Sequence, residues 1–194
     1  MSQFRPRLSQ QQYKALENLR ANERRILVLG DLHCPFELDG YELKQAIKHV
    51  AKWAEAFPVA DVIIGNHDRI IMRKAFSSSV PKEWIKDYND VLGTSWNWVE
   101  RIEYDGVQYC HGEGGTARTK AKNDMQSTVQ GHIHTSAYVD WMVGNNFKIF
   151  GMQVGCGVDA NTYAAAYAKH FKRQAIGCGV VIGGHTAINI LMDL

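Results

Sequence analysis

The apolar residues of this chain change period along its length. In 9–21, Tyr13, Leu16 and Leu19 recur at helical spacing. In 42–57, Leu43, Ala46, Ile47, Val50, Ala54 and Phe57 share one face, and Pro58 stops the run. Segments 70–76 and 82–92 also read as helices, the second with Pro81 at a first-turn position. Short apolar runs at 26–29, 59–64, 107–110 and 128–129 read as strands. Beyond residue 96 the pattern turns β-rich: 96–104 and 107–110 flank Asp105-Gly106, a two-residue hairpin signal. A second hairpin is predicted where 138–143 and 147–150 flank Gly144-Asn145-Asn146, and 153–156 and 179–182 add further strands. Helices and strands interleaved in this way predict an α/β fold with two sheets packed face to face and helices outside.

Four short polar motifs close predicted strands: Gly30-Asp31-Leu32-His33, Gly65-Asn66-His67-Asp68, Tyr109-Cys110-His111-Gly112 and Gly131-His132-Ile133-His134. Loops at strand ends are where α/β proteins place their chemistry. Asp, His and Asn offer nitrogen and oxygen donors that suit a divalent ion such as manganese, iron or zinc. Taken singly, each histidine reads better as a hydrogen-bonded, partly buried imidazole, and the Asp, Asn and Gly residues as turn formers. Their joint occurrence, in order and at strand ends, points instead to one split metal site.

The blocks Asp31-x-His33, Gly65-Asn66-His67-Asp68, His111 after a strand, and Gly131-His132-x-His134 resemble the signatures of the calcineurin-like metallophosphoesterases of phage or bacterial type. The likeness spans residues 25–178. It implies a four-layered αββα sandwich in which a two-metal centre activates water against a phosphate ester. Carried over by position, it implies that Asp31, His33 and His134 hold one ion and that Asn66, His111 and His132 hold the other. His67 would protonate the leaving group and Asp68 would orient it. The implied ion is manganese, with iron or zinc open.

One family block has no counterpart here. The Gly-Asp-x-x-Asp segment, whose first Asp bridges the ions, is absent, and between His33 and Gly65 the carboxylates are Glu37, Asp39, Glu42, Glu55 and Asp61. Asp39 precedes a predicted helix and reads at least as well as its N-cap. The resemblance therefore implies an internal deletion around Tyr41 that removes one strand and helix of the first half. Two dications without a shared carboxylate repel one another more strongly, so one ion is expected to be retained more readily than two. A lost strand is expected to leave a gap or exposed edge, with lowered stability, a rearranged sheet or a homo-oligomer.

The expected function is metal-dependent hydrolysis of a phosphomonoester or phosphodiester. The alternative is a catalytically impaired protein of the same fold that serves as a binding or interaction module. An internally shortened form of a longer parent enzyme is a third. Family likeness does not select a substrate.

Composition adds bounds. With 194 residues, 45% hydrophobic and 22% charged, a single domain over 1–194 is expected: a helical extension at 1–24, a core at 25–182 and a tail at 183–194. A formal net charge of +2 does not call for nucleic acid as partner, although a phosphodiester substrate stays open. No apolar run approaches the roughly 20 residues of a membrane span, and 1–12 has no hydrophobic core of a secretory signal, so a cytoplasmic location without membrane contact is expected. Cys34, Cys110, Cys156 and Cys178 lack CxxC spacing, which argues for free thiols in a reducing compartment, with Cys34 a packed thiol. His49 and His170 are expected to face solvent and His185 to sit in a turn. Trp96, Trp98 and Trp141 are expected in packing roles. Arg69 reads as a surface residue, with phosphate contact as the functional alternative.

Overall fold

The computed structural model describes residues 9–31, 40–157 and 174–192. Of the residues singled out above, His33, Cys34, Glu37, Asp39 and His170 lie outside that set.

The largest unit is a five-stranded sheet made of β4 (Arg101–Tyr104), β5 (Val107–Cys110), β6 (Ser127–Gln130), β7 (Ala137–Gly144) and β8 (Phe147–Val154), in the order β4-β5-β6-β8-β7. Its three central strands are parallel and its two edges antiparallel. All of β6 and most of β5 and β8 are buried, as expected of strands covered on both faces. On one face lies α5 (Ala117–Asp124), seated at Gly151, where a Cβ would come within 2.7 Å of the Ala117 backbone. On the other lies a three-stranded antiparallel sheet of β1 (Arg25–Leu29), β9 (Gly177–Ile182) and β10 (Thr186–Leu191), in the order β1-β9-β10. Between the two sheets sit Val107, Tyr109, Val129, Phe150, Met152, Val154 and Val181.

A second, smaller core joins α2 (Gly40–Ala56) and α4 (Tyr88–Leu92) to the parallel pair β2 (Asp61–Ile63) and β3 (Asn97–Val99). Val50, Leu92 and Trp96 form its centre. Trp96 Nε1–H donates to the Phe57 carbonyl at 2.9 Å, and Trp98 stacks on Tyr88 at 4.4 Å between ring centroids. The polar indole edge is thereby satisfied while the ring is buried. The remaining helices are α1 (Gln10–Ala21) and α3 (Ile70–Ser77).

Several sequence expectations change. The helix over 82–92 is split into a 3-10 turn, Lys82–Trp84, and α4, because Ile85 is extended and Asp87 starts the next helix as its N-cap, accepting from Asp90 N–H at 2.8 Å. The strand over 96–104 is divided between two sheets, β3 pairing with β2 and β4 with β5. Residues 147–150 and 153–156 do not form separate strands, since β8 runs unbroken through Gly151 to Val154. The tail contains a strand, β10, which follows β9 through the Gly183-Gly184-His185 turn. Trp141, 38% exposed, keeps a packing role at the margin of the core, its ring 5.0 Å from that of buried Phe150 and the Lys148 ammonium 4.5 Å above it. His49 is exposed, and Cys110, Cys156 and Cys178 are free thiols.

The expected gap takes a definite form. Among the described residues β1 pairs only with β9 and β2 only with β3. Between them lies a cavity of about 480 Å³, lined by Ile26 to Asp31 on one side and by Val59 to Ile63 on the other. No helix of the described residues is long and apolar enough to cross a membrane.

Phe150 is fully buried, whereas Phe76 is 87% exposed. Phe150→Ala should therefore lower the unfolding free energy by about 3–5 kcal/mol. Phe76→Ser should change it by no more than about 0.5 kcal/mol. Urea denaturation of the two variants checks both.

Candidate metal centre

The site forms where β1 meets the loops after β5 and β6. Gly30 allows that approach, because a Cβ there would lie 2.5 Å from the Gly155 carbonyl oxygen at the end of β8. The Asp31 carbonyl oxygen then accepts from Gly157 N–H at 2.9 Å. This fixes the Asp31 side chain, 10% exposed, beneath three imidazoles. Asp31 Oδ1 accepts from His132 N–H at 3.0 Å and lies 3.8 Å from His111 Nδ1. Asp31 Oδ2 is 3.2 Å from His134 Nε2.

The other donors gather around His111. Gly65 lies against its ring, where a Cβ would sit 2.8 Å from Cε1, so the residue must be small for the motif after β2 to reach the centre. His111 Nε2 is 2.7 Å from Asn66 Oδ1 and 3.1 Å from His132 Nδ1, and the two imidazoles meet edge to face. The carboxylate of Asp31 and ring nitrogens of His111 and His132 lie within 4.8 Å of one another. Nitrogen and oxygen donors converging at this spacing fit a divalent cation. Five of the six metal residues expected from sequence, Asp31, Asn66, His111, His132 and His134, are thus brought together; the sixth, His33, is outside the described set.

Electrostatics agree with that donor set. Burial pushes the Asp31 carboxyl upward, but hydrogen bonds from His134 and the His132 amide, with the nearby imidazoles, hold it below the usual carboxylate range. It is an anion at neutral pH. Burial holds His111 below the ordinary imidazole range against the pull of Asp31, which favours the neutral ring that a metal requires. Burial raises Asp68, despite its hydrogen bond from Gly65 N–H at 2.7 Å, with the negative charge of Asp31 adding to the rise.

The turn carrying His132 is clamped from two sides. His132 adopts φ +66, a left-handed conformation uncommon for a residue with a side chain. Asp31 Oδ1 holds its N–H. The fully buried Gln153 donates to the Gly131 carbonyl next to it and to the Gln130 carbonyl at 3.3 Å. Gln130 Nε2 in turn donates to Gln153 Oε1 at 3.1 Å and to the Gly115 carbonyl at 2.8 Å. This glutamine pair was not among the residues expected at the site. Its signal was the presence of Gln130 and Gln153 inside buried strands, where an amide persists only with partners.

His67 and Asp68 line the cavity that also reaches Asp31 and His111. The Asp68 carbonyl accepts from Tyr88 Oη–H at 2.9 Å, which ties the motif to α4. Arg69 is neither a loose surface residue nor poised for phosphate: its guanidinium pairs with Glu100 and, at 2.5 Å, with Glu113. Arg73 was not foreseen; its Nη2 donates to the Asn66 carbonyl at 3.1 Å, beside a site residue. His185, as expected, sits in a turn, 2.9 Å from Glu23 Oε1.

Compared with models of known families, with curated proteins and with solved structures, the chain finds no match.

His111 should titrate below about 6.5 in the metal-free protein, followed by its ring resonances in NMR. Its folded pKa lies below the unfolded value, so the unfolded chain takes up the proton first. Acidification below about pH 6.5 should therefore weaken folding through this residue, and His111→Gln should lessen the fall in urea midpoint between pH 7.5 and 5.5. Gln153→Leu strands buried carbonyls and should destabilise the fold by about 1–3 kcal/mol, read from the same denaturation curves.

Proposed function

We propose that the protein is a metal-dependent phosphoesterase of the calcineurin-like metallophosphoesterase type. The observation that carries this reading is the convergence of Asp31, Asn66, His111, His132 and His134, drawn from four separate motifs, with His67 and Asp68 lining the adjoining cavity. The packing of α2 and α4, two sheet layers and α5 in sequence agrees with the four-layered sandwich that the motif likeness implies.

Each residue has a physical role in this reading. Asp31 presents one carboxylate oxygen toward His111 and His132 and the other toward His134, so it stands between the two implied ligand sets. Asn66, His111 and His132 add neutral donors, leaving Asp31 as the anionic member of the described set. That charge balance favours one tightly held ion over two. Manganese suits the nitrogen and oxygen donors, as do iron and zinc. Such an ion, when bound, lowers the pKa of water toward about 7 and polarises a phosphoryl oxygen. His67 supplies a proton to the departing oxygen of the ester, and Asp68 lines the same cavity beside it. The substrate class is a phosphomonoester or phosphodiester.

The test pairs binding with turnover. Calorimetric titration of the metal-free chain with manganese should show one tight site, which Asp31→Asn weakens. Manganese-dependent hydrolysis of 4-nitrophenyl phosphate or its bis ester should fall about 10²–10⁴-fold in His67→Ala with the fold unchanged by circular dichroism. Tight manganese binding without turnover of either ester would support the binding-module reading. No binding at all would remove both.

A further inference from the structure

The cavity between β1 and β2 has main-chain walls as well as apolar ones. Hydrogen bonding identifies the residues concerned. Gly183 N–H donates to the Arg24 carbonyl at 2.9 Å, and Met192 N–H to the Ile176 carbonyl at 2.9 Å. Carried along the antiparallel register, Ile26 and Val28 turn their main-chain groups to β9, and Leu27 and Leu29 turn theirs away. On the opposite side, Asn97 N–H donates to the Ala60 carbonyl at 3.0 Å and Ile64 N–H to the Val99 carbonyl at 2.8 Å. Val62 is thereby committed to β3, while Asp61 and Ile63 face outward. Among the described residues no strand pairs with either free edge.

Both edges open into one space. A strand that offered a face to a cavity would contribute alternate residues, whereas Ile26 to Asp31 and Val59 to Ile63 line this one consecutively, as edges do. At one end Asp31, His67, Asp68 and His111 line it; elsewhere its walls are mainly apolar, with Val50, Trp53 and Phe57 on the helical side, and Tyr109, Val129 and Val154 on the side of the five-stranded sheet. No lysine or arginine lines it among the described residues. Leu27, 47% exposed, and Val59, 91% exposed, show that the space is reached from solvent.

We propose that this cavity is a strand-acceptor site, which takes an extended apolar peptide segment of a partner protein as an additional strand between β1 and β2. A lipid chain or other apolar small molecule matches the walls but leaves the N–H and C=O groups of Leu27, Leu29, Asp61 and Ile63 without partners. A helix consumes its own main-chain groups and offers none. An extended chain satisfies both edges at once, and apolar side chains on both its faces meet α2 and the opposite sheet. A second copy of this chain is a poorer donor: its exposed apolar strand, β10, is paired along its length with β9 and would have to leave its own sheet. The segment needed is about 5–6 residues, the usual length of a strand. The proposal does not depend on the hydrolytic reading of the neighbouring site.

The experiment is residue-resolved amide hydrogen exchange on the full chain, with and without the synthetic peptide Lys-Val-Ile-Val-Ile-Val-Lys. The control is Lys-Val-Pro-Val-Pro-Val-Lys, which cannot pair along both edges. In peptide-free protein the amides of Leu27, Leu29, Asp61 and Ile63 should exchange faster than those of Ile26, Val28 and Val62. At a peptide concentration ten times its dissociation constant, exchange at those four should slow about tenfold, and the proline control should leave it unchanged. Three results would overturn the proposal: no slowing with the peptide, equal slowing with the control, or full protection of the four amides before any peptide is added. Protection that grows with protein concentration alongside a dimer in sedimentation would assign the slot to a second copy and overturn the partner assignment.

Discussion

The Asp31 carboxylate is the tie on which the centre of this structure depends. It stands at the end of β1, in the three-stranded sheet, yet its two oxygens meet the His132 amide and the His134 imidazole, both on the loop that leaves the five-stranded sheet. A single side chain thus ties the ends of two sheets together, beside their apolar packing, the Gly157 N–H bond to the Asp31 carbonyl and the Asn189 Nδ2 bond to the Gln153 carbonyl. The carboxyl is mostly buried, so its charge is tolerable only because each oxygen has donors; remove them and the cost of desolvation stands alone. The left-handed His132, the carbonyl of Gly131 held by Gln153, and the close approach of Gly30 to Gly155 all serve to bring donors to that carboxylate. A candidate metal site assembled in this way has its donors oriented in advance, by bonds to one another and to buried amides.

The opposite condition holds a few residues away. Next to the well-partnered centre lies a space in which two strand edges lack strand partners among the described residues. Main-chain groups gain little from an apolar neighbour, so such a slot carries a standing cost until it is filled. Its two walls, β1 and β2, lead into the first two motifs of the candidate metal site, Asp31 and Asn66. The spacing of those motifs is set by α2, by the small core at Val50, Leu92 and Trp96, and by the loops that cross to His111. His67 and Asp68 line the same space, so the slot and the candidate site are continuous.

Much of the fold was legible from local pattern. The 3.6-residue period of α2 and the Asp105-Gly106 and Gly144-Asn145-Asn146 turns appear where the apolar spacing put them, because each depends on residues adjacent in sequence. The misreadings have different causes. The split of 82–92 arose from an Asp87 cap competing with apolar periodicity, and the division of 96–104 between two sheets arose from the partners each half found across the chain. β10 was invisible as a strand because its pairing with β9 follows a glycine-rich turn that local pattern reads only as a turn.

The order of residues alone determined which side chains could serve as metal ligands and that they would stand at strand ends, since donor chemistry and the apolar runs before them are local properties. Tertiary structure decided the rest. It placed Asn66 against His111 and Asp31 beneath His132 and His134, took Arg69 out of play by pairing it with Glu100 and Glu113, and set buried Gln153 behind the His132 turn. These are contacts between residues far apart in the chain, and their existence depends on how two sheets pack and on which strand edges remain open, which no run of neighbouring residues encodes by itself.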